Sequence, residues 1–181
     1  ALPISGSIDV AAVERAAKLI RKYVEPSTHD RLLAAGDSLG RALTTIEGDN
    51  VRLESVTGPL HTALTALRDI GKVALDEIKS PSTDDPDVAA AKKRAKAELG
   101  DVHSVAADLL TADERSVVWV SNDRFAAIHH APLSVADYLK GTLLERSTVV
   151  MTSATLAVAG NMDATAAAMG FAGTDKDRTW A

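Results

Sequence analysis

Residues 87–111, DVAAAKKRAKAELGDVHSVAADLLT, carry the clearest structural pattern in the chain. Their apolar residues return every three or four positions, which is the spacing of one face of an α-helix. These apolar residues are Val88, Ala91, Ala95, Leu99, Val102, Ala106 and Leu109. The preceding stretch, residues 80–86, is rich in Ser, Pro and Asp and predicts a loop. The pattern therefore predicts one long amphipathic helix that follows a loop.

Three similar patterns precede this helix. Apolar residues at helical spacing predict a helix over 7–25 that Ser7 or Asp9 can cap, a second over 28–47, and a third that ends at Ile78. The third helix begins either in the low 50s or at Thr57-Gly58-Pro59, because Pro59 fits a first helical turn or a kink equally well. Four amphipathic helices with short connections indicate an antiparallel bundle. The many alanines predict closely spaced helices around a thin core.

The periodicity changes near residue 115. Residues 117–120 and 126–130 have the composition of short strands, with a turn at 121–124 between them. Pro132, Leu133 and Ser134 introduce a predicted helix that ends at Leu144, with Ser134 as its cap.

The last third of the chain continues as strand, loop and helix. Residues 147–152 are mostly apolar or β-branched, which favours a strand in a parallel sheet covered on both faces. A helix over 162–169 follows and ends at Gly170. We therefore expect a mainly α fold with two parts, a helical bundle in residues 1–112 and a partial α/β element in residues 113–181.

Composition excludes several classes of protein. The 181 residues are 46% hydrophobic and 25% charged, the balance of a globular domain. The absence of Cys excludes disulfides, thiolate metal sites and thiol nucleophiles within this chain. No apolar run approaches the roughly 18–20 residues of a membrane span, so we expect no membrane partner. The net charge of −5 requires any nucleic-acid contact to be local.

Two groups of basic residues are candidate contacts to DNA phosphates. Cations at helical spacing neutralise a nucleic-acid backbone without reading its bases. Acidic neighbours, such as Glu14 and Glu98, make a solvated helix face with intrahelical ion pairs an open alternative. The candidate residues are Arg15, Lys18, Lys22, Lys92, Lys93, Arg94 and Lys96.

Motifs for a complete nucleotide or metal site are missing from the sequence. No G-x-x-x-x-G-K-[ST] loop, G-x-S-x-G elbow or H-E-x-x-H pair occurs. His129 and His130 are adjacent, and neighbours on a strand point to opposite faces, so the pair does not readily chelate one ion. We expect no metal site, no bound cofactor and no ATP hydrolysis by this chain alone.

Ser153 and Thr155 follow the predicted strand 147–152. The carboxyl end of such a strand is where α/β sheets meet their ligands. A Ser-Ala-Thr sequence is also typical of a helix-capping turn, and the tripeptide by itself leaves both interpretations open.

Four segments occur in an order that is characteristic of one family. They are APLSVA at 131–136, LL at 143–144, TVVMTSATL at 148–156 and MGF at 169–171. Together they resemble the bacterial DinG helicases, relatives of the XPD-type DNA helicases of superfamily 2. In that family A-P-L-x-V and a helix precede T-V-V-L-T-S-A-T-L, and a short helix and L-G follow. Trp119 in VVWV also fits the strand that re-enters the motor domain.

The resemblance implies a specific organisation. Residues 1–112 would be the arch domain that is inserted between two helicase motifs, and residues 113–181 a remnant of the first RecA-like motor domain. Thr152, Ser153, Ala154 and Thr155 would form motif III, which couples ATP hydrolysis to strand separation. Because residue 1 is Ala and the first Met is Met151, we expect a segment of a longer protein.

The resemblance also implies an activity for that longer protein. It would be a bacterial, cytoplasmic, monomeric 5′-to-3′ DNA helicase active in DNA repair, with ATP and magnesium bound outside this segment. Its partners would be single-stranded DNA and the remaining motor domains. Many relatives carry a four-cysteine iron–sulfur domain upstream of the arch, and a segment without Cys does not decide whether this one does. The main alternative to a helicase segment is a stand-alone helical protein-interaction module. A small hydrolase is a third possibility.

Overall fold

Four helices form most of the described chain: α1 (Val10–Ile20), α2 (Pro26–Thr44), α3 (Gly58–Glu77) and α4 (Pro86–Leu110). The structure is a computed structural model and describes residues 5–78, 85–122, 124–150 and 162–171. Proline occupies the first or second position of α2, α3 and α4, where its missing N–H costs no helical hydrogen bond. The chain is mainly helical, as the sequence predicts.

The helices pack in a closed order in which each contacts two others. Helix α1 packs against α2 and α4, and α3 packs against the same two helices. Their shared core consists mainly of Leu, Ile, Val and Ala side chains. The close approach of α1 and α2 depends on Gly36 and Gly40, where a Cβ atom would lie 2.9 Å from Val13 Cγ1 and 2.8 Å from Val10 Cγ2.

Short strands precede α1 and α3, so α1 begins later than residue 7 and α3 begins at the later of its two predicted starts. Residues Gly6–Asp9 form a strand, β1, and Asp9 then caps α1 by accepting a hydrogen bond from the N–H of Ala12. Residues Val51–Leu53 form a second strand, β2, so α3 does not begin in the low 50s. Both strands depend on partners far along the chain, which a local periodicity does not contain.

A four-stranded antiparallel sheet in the order β1-β4-β3-β2 covers the bundle. Strands β3 (Ser116–Ser121) and β4 (Ala127–Pro132) agree with the predicted pair to within two residues. Gly6 pairs with His130 at one edge, and Val51 pairs with Val120 at the other. One face of the sheet is buried in the core. Its buried side chains are Ile8, Val118, Val120 and Ile128.

The described residues fall into two compact units. Residues 5–131 contain the four long helices and the sheet, and the second unit begins at Pro132. The predicted boundary between residues 112 and 113 separates an arch domain from a motor domain of a longer protein, and it stays a prediction.

The second unit contains short helical elements. Helix α5 (Ala136–Leu139) continues into a π-helical turn (Lys140–Leu144), and α6 (Asp163–Ala168) ends before Gly170, whose φ of 82° suits glycine. The predicted strand is wrong for residues 147–150, which have no regular structure. A strand needs a neighbouring strand with which to form hydrogen bonds. None of the described residues of this unit provides one for residues 147–150.

Candidate nucleic-acid interface

An open groove of about 820 Å³ lies between the end of α1 and the first turns of α4. We call it the α1–α4 groove. Four of its lining residues are cations: one comes from α1, two from the residues just after α1, and one from α4. The full lining is Lys18, Leu19, Arg21, Lys22, Tyr23, Ala90, Ala91 and Arg94.

The packing of the two helices creates this groove. Helix α1 buries Val13, Ala17 and Ile20, which leaves Lys18 and the residues after Ile20 at the surface. Helix α4 buries Ala95 and directs the residues before it outward. Ala90 and Ala91 have short side chains, so the floor of the groove stays open between the long cationic side chains.

Tyr23 is the aromatic residue of the groove. The ammonium group of Lys22 lies 5.0 Å from the centre of its ring, and that of Lys92 lies 5.8 Å away. Both distances are within the range of cation–π attraction. The Tyr23 hydroxyl is buried without a hydrogen-bond partner among the described residues. The two lysines therefore contact the ring of Tyr23 and not its hydroxyl.

The cations of the groove are not neutralised at short range. Within the described ranges, none of the carboxylates forms an ion pair with Lys18, Arg21, Lys22 or Arg94. The intrahelical pairing that the sequence left open as an alternative is therefore not formed there. The groove can accept an anionic ligand without first breaking an ion pair.

The structure brings together only part of the predicted contact set. Lys18, Lys22 and Arg94 line the groove, and Lys92 contacts Tyr23 at its edge. The other candidates, Arg15, Lys93 and Lys96, do not line it.

Sequence reasoning missed two polar residues of the groove, Arg21 and Tyr23. Arg21 lies three positions after Lys18, the spacing of one helix face, and this signal could have found it. Tyr23 follows the end of α1, which the sequence places too late, and nothing local indicates its contact with Lys92. The predicted motif III residues, Thr152, Ser153, Ala154 and Thr155, lie outside the described residues.

A second polar cluster lies on the face of the sheet opposite the core. The rings of Trp119 and His129 stack 4.9 Å apart and nearly parallel, and His129 Nε2 lies 2.8 Å from the hydroxyl oxygen of Ser121. Ser7 pairs with His129, and Arg52 pairs with Trp119, so one row of side chains crosses all four strands. Burial lowers the pKa of His129, and the nearby Asp9 carboxylate opposes this effect.

Neither a metal site nor a membrane span is found in the parts that the structure describes. Their His, Asp and Glu side chains form no group of three or more that could hold a metal ion. None of the helices there combines the length and the apolar character needed to cross a bilayer.

Part of the chain is similar to known helicases. A stretch of 64 residues is 41% identical to the ATP-dependent helicase DinG of Mycobacterium tuberculosis and to that of Mycobacterium bovis. This stretch is 33% of the present chain, and the chain spans about a tenth of the length of these curated relatives. No family model matches the chain. The similarity supports a DinG-like helicase region.

Proposed function

We propose that this chain is part of an ATP-dependent DNA helicase of the DinG type, and that the α1–α4 groove forms part of the path of single-stranded DNA. The similarity of 64 residues to the mycobacterial DinG helicases carries the proposal. The groove adds a surface with the chemistry that such a path needs.

We place the inserted domain at the unit 5–131, which includes β3 and therefore extends beyond the boundary at residue 112 that the resemblance implies; the connectivity of this unit supports an insertion. Strand β1 at its start is antiparallel to β4 at its end, and Gly6 lies opposite His130. The chain therefore enters and leaves the unit at neighbouring positions of the sheet. A domain that interrupts another domain needs neighbouring ends of this kind.

The groove suits the backbone of a nucleic acid. Lys18, Arg21, Lys22 and Arg94 supply positive charge from two directions, and none of them is paired with a described carboxylate. Cations in such a groove attract phosphates and release counterions, whatever the base sequence. Binding is therefore expected to weaken steeply as salt rises.

The remaining parts of the proposal concern the longer protein. Thr152, Ser153, Ala154 and Thr155 couple ATP hydrolysis to unwinding as its motif III. ATP and Mg²⁺ bind to residues outside this chain, because the sequence contains no phosphate loop. The enzyme is a monomeric cytoplasmic helicase, and the chain by itself has no ATPase activity.

Fluorescence anisotropy and an ATPase assay on the purified chain test this function. We expect a labelled single strand of about 20 nucleotides to bind at low salt and to dissociate as salt rises. In the ATPase assay we expect no Mg²⁺-dependent ATP turnover by the purified chain. Absence of DNA binding at low salt would favour the protein-interaction module instead. ATP turnover by this chain would contradict its assignment as a helicase segment without the nucleotide site.

A further inference from the structure

Two lysines from distant parts of the chain meet at one aromatic ring. Lys22 precedes Tyr23 directly, whereas Lys92 comes from α4. Their ammonium groups lie 5.0 Å and 5.8 Å from the centre of the Tyr23 ring. The ring therefore joins the two sides of the α1–α4 groove at its edge.

We propose that Lys22 and Lys92 form a binding site for backbone phosphates of one DNA single strand, and that Tyr23 is the residue that positions both ammonium groups. The inference rests on the proposed function, because it assigns roles within the same groove. The inference assigns phosphate binding to Lys22 and Lys92 and the positioning of these two lysines to Tyr23. Charge and helical spacing alone do not reveal that the two lysines share one ring.

The physical role of the ring follows from the freedom of lysine. A lysine ammonium is a point charge on a flexible four-carbon stem, and binding a phosphate requires that freedom to be lost. An ammonium group held near an aromatic face is already restricted, and its N–H groups that point away from the ring remain available as donors. Pre-organisation of this kind raises affinity without adding a new interaction with the ligand.

The ring, and not the hydroxyl, is expected to act. The Tyr23 hydroxyl is buried and has no hydrogen-bond partner among the residues that the structure describes. Phe keeps the ring face and omits the hydroxyl, whereas Leu keeps apolar volume and omits the ring. The two variants Tyr23→Phe and Tyr23→Leu therefore separate positioning of the lysines from simple packing.

The test measures single-strand affinity by anisotropy over a range of salt for the full chain and its variants. We expect Lys22→Gln/Lys92→Gln to weaken binding about tenfold at low salt and to reduce the salt slope by about 0.7 for each phosphate that is no longer neutralised. We expect Tyr23→Leu to weaken binding about threefold to tenfold and Tyr23→Phe to remain within about twofold of the wild type. In the double-lysine background, Tyr23→Leu should cause no further weakening.

The outcomes separate this inference from the proposed function. Equal weakening by Tyr23→Phe and Tyr23→Leu, at unchanged melting temperature, would overturn the role of the ring. If Tyr23→Leu binds the strand with normal affinity while Lys22→Gln/Lys92→Gln binds it more weakly, the positioning role is overturned and the groove remains a DNA site. Normal affinity of the double-lysine variant would overturn the phosphate site itself. Failure of the wild type to bind any single strand would overturn the proposed function.

A competition arm distinguishes a strand from free phosphate. Unlabelled single strand should displace the labelled strand completely, whereas inorganic tripolyphosphate at the same phosphate concentration should displace little. The reverse result would assign the two lysines to a small phosphate compound and overturn the assignment to a strand.

Discussion

A single carboxylate, that of Glu77, joins the end of α3 to the start of α2. Its two oxygens accept hydrogen bonds from the backbone N–H of Glu25 at 2.8 Å and from the hydroxyl of Thr28 at 2.7 Å. Thr28 is a buried residue in the first turn of α2, where negative charge interacts favourably with the helix dipole. Glu77 therefore acts as a cap that comes from a different helix.

Replacing Glu77 with Ala is expected to lower the free energy of unfolding by about 1–3 kcal/mol, because hydrogen bonds to a charged group contribute more than neutral ones. The neighbouring Asp76→Ala is the matched control. Asp76 forms an exposed pair with Lys72, and its removal should cost less than about 0.5 kcal/mol. Urea unfolding of both variants measures the difference, and equal destabilisation would show that Glu77 has no special role.

Protonation of His129 is expected to make stability depend on pH. Burial lowers its pKa in the folded state, so the unfolded chain binds the proton more readily. This contribution to stability is present above the unfolded value of about 6.5 and is lost as pH falls through the lower folded value. Urea unfolding between about pH 5.5 and 7.5 should show stability that increases with pH.

His129→Phe is expected to flatten that dependence, because Phe preserves a ring against Trp119 and does not titrate. The slope of the wild type, measured in the same buffers, is the reference. An unchanged slope in His129→Phe would mean that other groups cause the pH dependence.

At the scale of elements, glycine sets the distance between α1 and α2. Gly36 is buried, and a Cβ atom there would lie 2.9 Å from Val13 Cγ1, closer than real Cβ contacts. Valine is stiff because it is branched at Cβ, so the clash requires the helices to move apart. Gly100 in α4 is the contrasting case, because a Cβ atom there meets nothing within 4 Å.

The two glycines predict substitutions of opposite sign. Gly36→Ala should destabilise the protein by about 1–3 kcal/mol through overpacking, despite the better helix propensity of Ala. Gly100→Ala should stabilise it by about 0.5–1 kcal/mol, because Ala fits a helix interior better than Gly. Thermal and urea unfolding of the two variants check the signs. Stabilisation by Gly36→Ala would contradict the close packing of α1 against α2.

The sequence predicts the helices well because each one buries a single face. Val13 and Ile20, or Leu99 and Leu109, return at helical spacing and are all covered by the core. Strands β1 and β2 escaped prediction because they are four and three residues long and pair with β4 and β3, far along the chain. Because of β1, α1 begins at Val10 instead of at residue 7, and its cap is Asp9, one of the two capping residues that the sequence predicts.

At the scale of the whole molecule, the sequence names most cations of the groove but not their arrangement. Lys18 and Arg94 belong to two separate basic groups, and only the packing of α1 against α4 brings them to one surface. Helical periodicity shows which residues face outward and does not show which helices are neighbours. For the same reason the sequence predicts Arg15 and Lys96 as phosphate contacts just as it predicts Lys18 and Arg94, although neither Arg15 nor Lys96 lines the groove.

The most direct test of the proposed DNA path compares two double variants in a single-strand binding assay at low salt. Lys18→Gln/Arg94→Gln removes two cations that line the groove, one on α1 and one on α4. Arg15→Gln/Lys96→Gln removes the same charge from the same two helices, outside the groove. We expect the groove pair to weaken binding about tenfold and to lower the salt slope by about 0.7 for each phosphate left without its cation, with little change in the control pair. Equal weakening by the two pairs would show attraction to overall charge and contradict a strand bound in the α1–α4 groove.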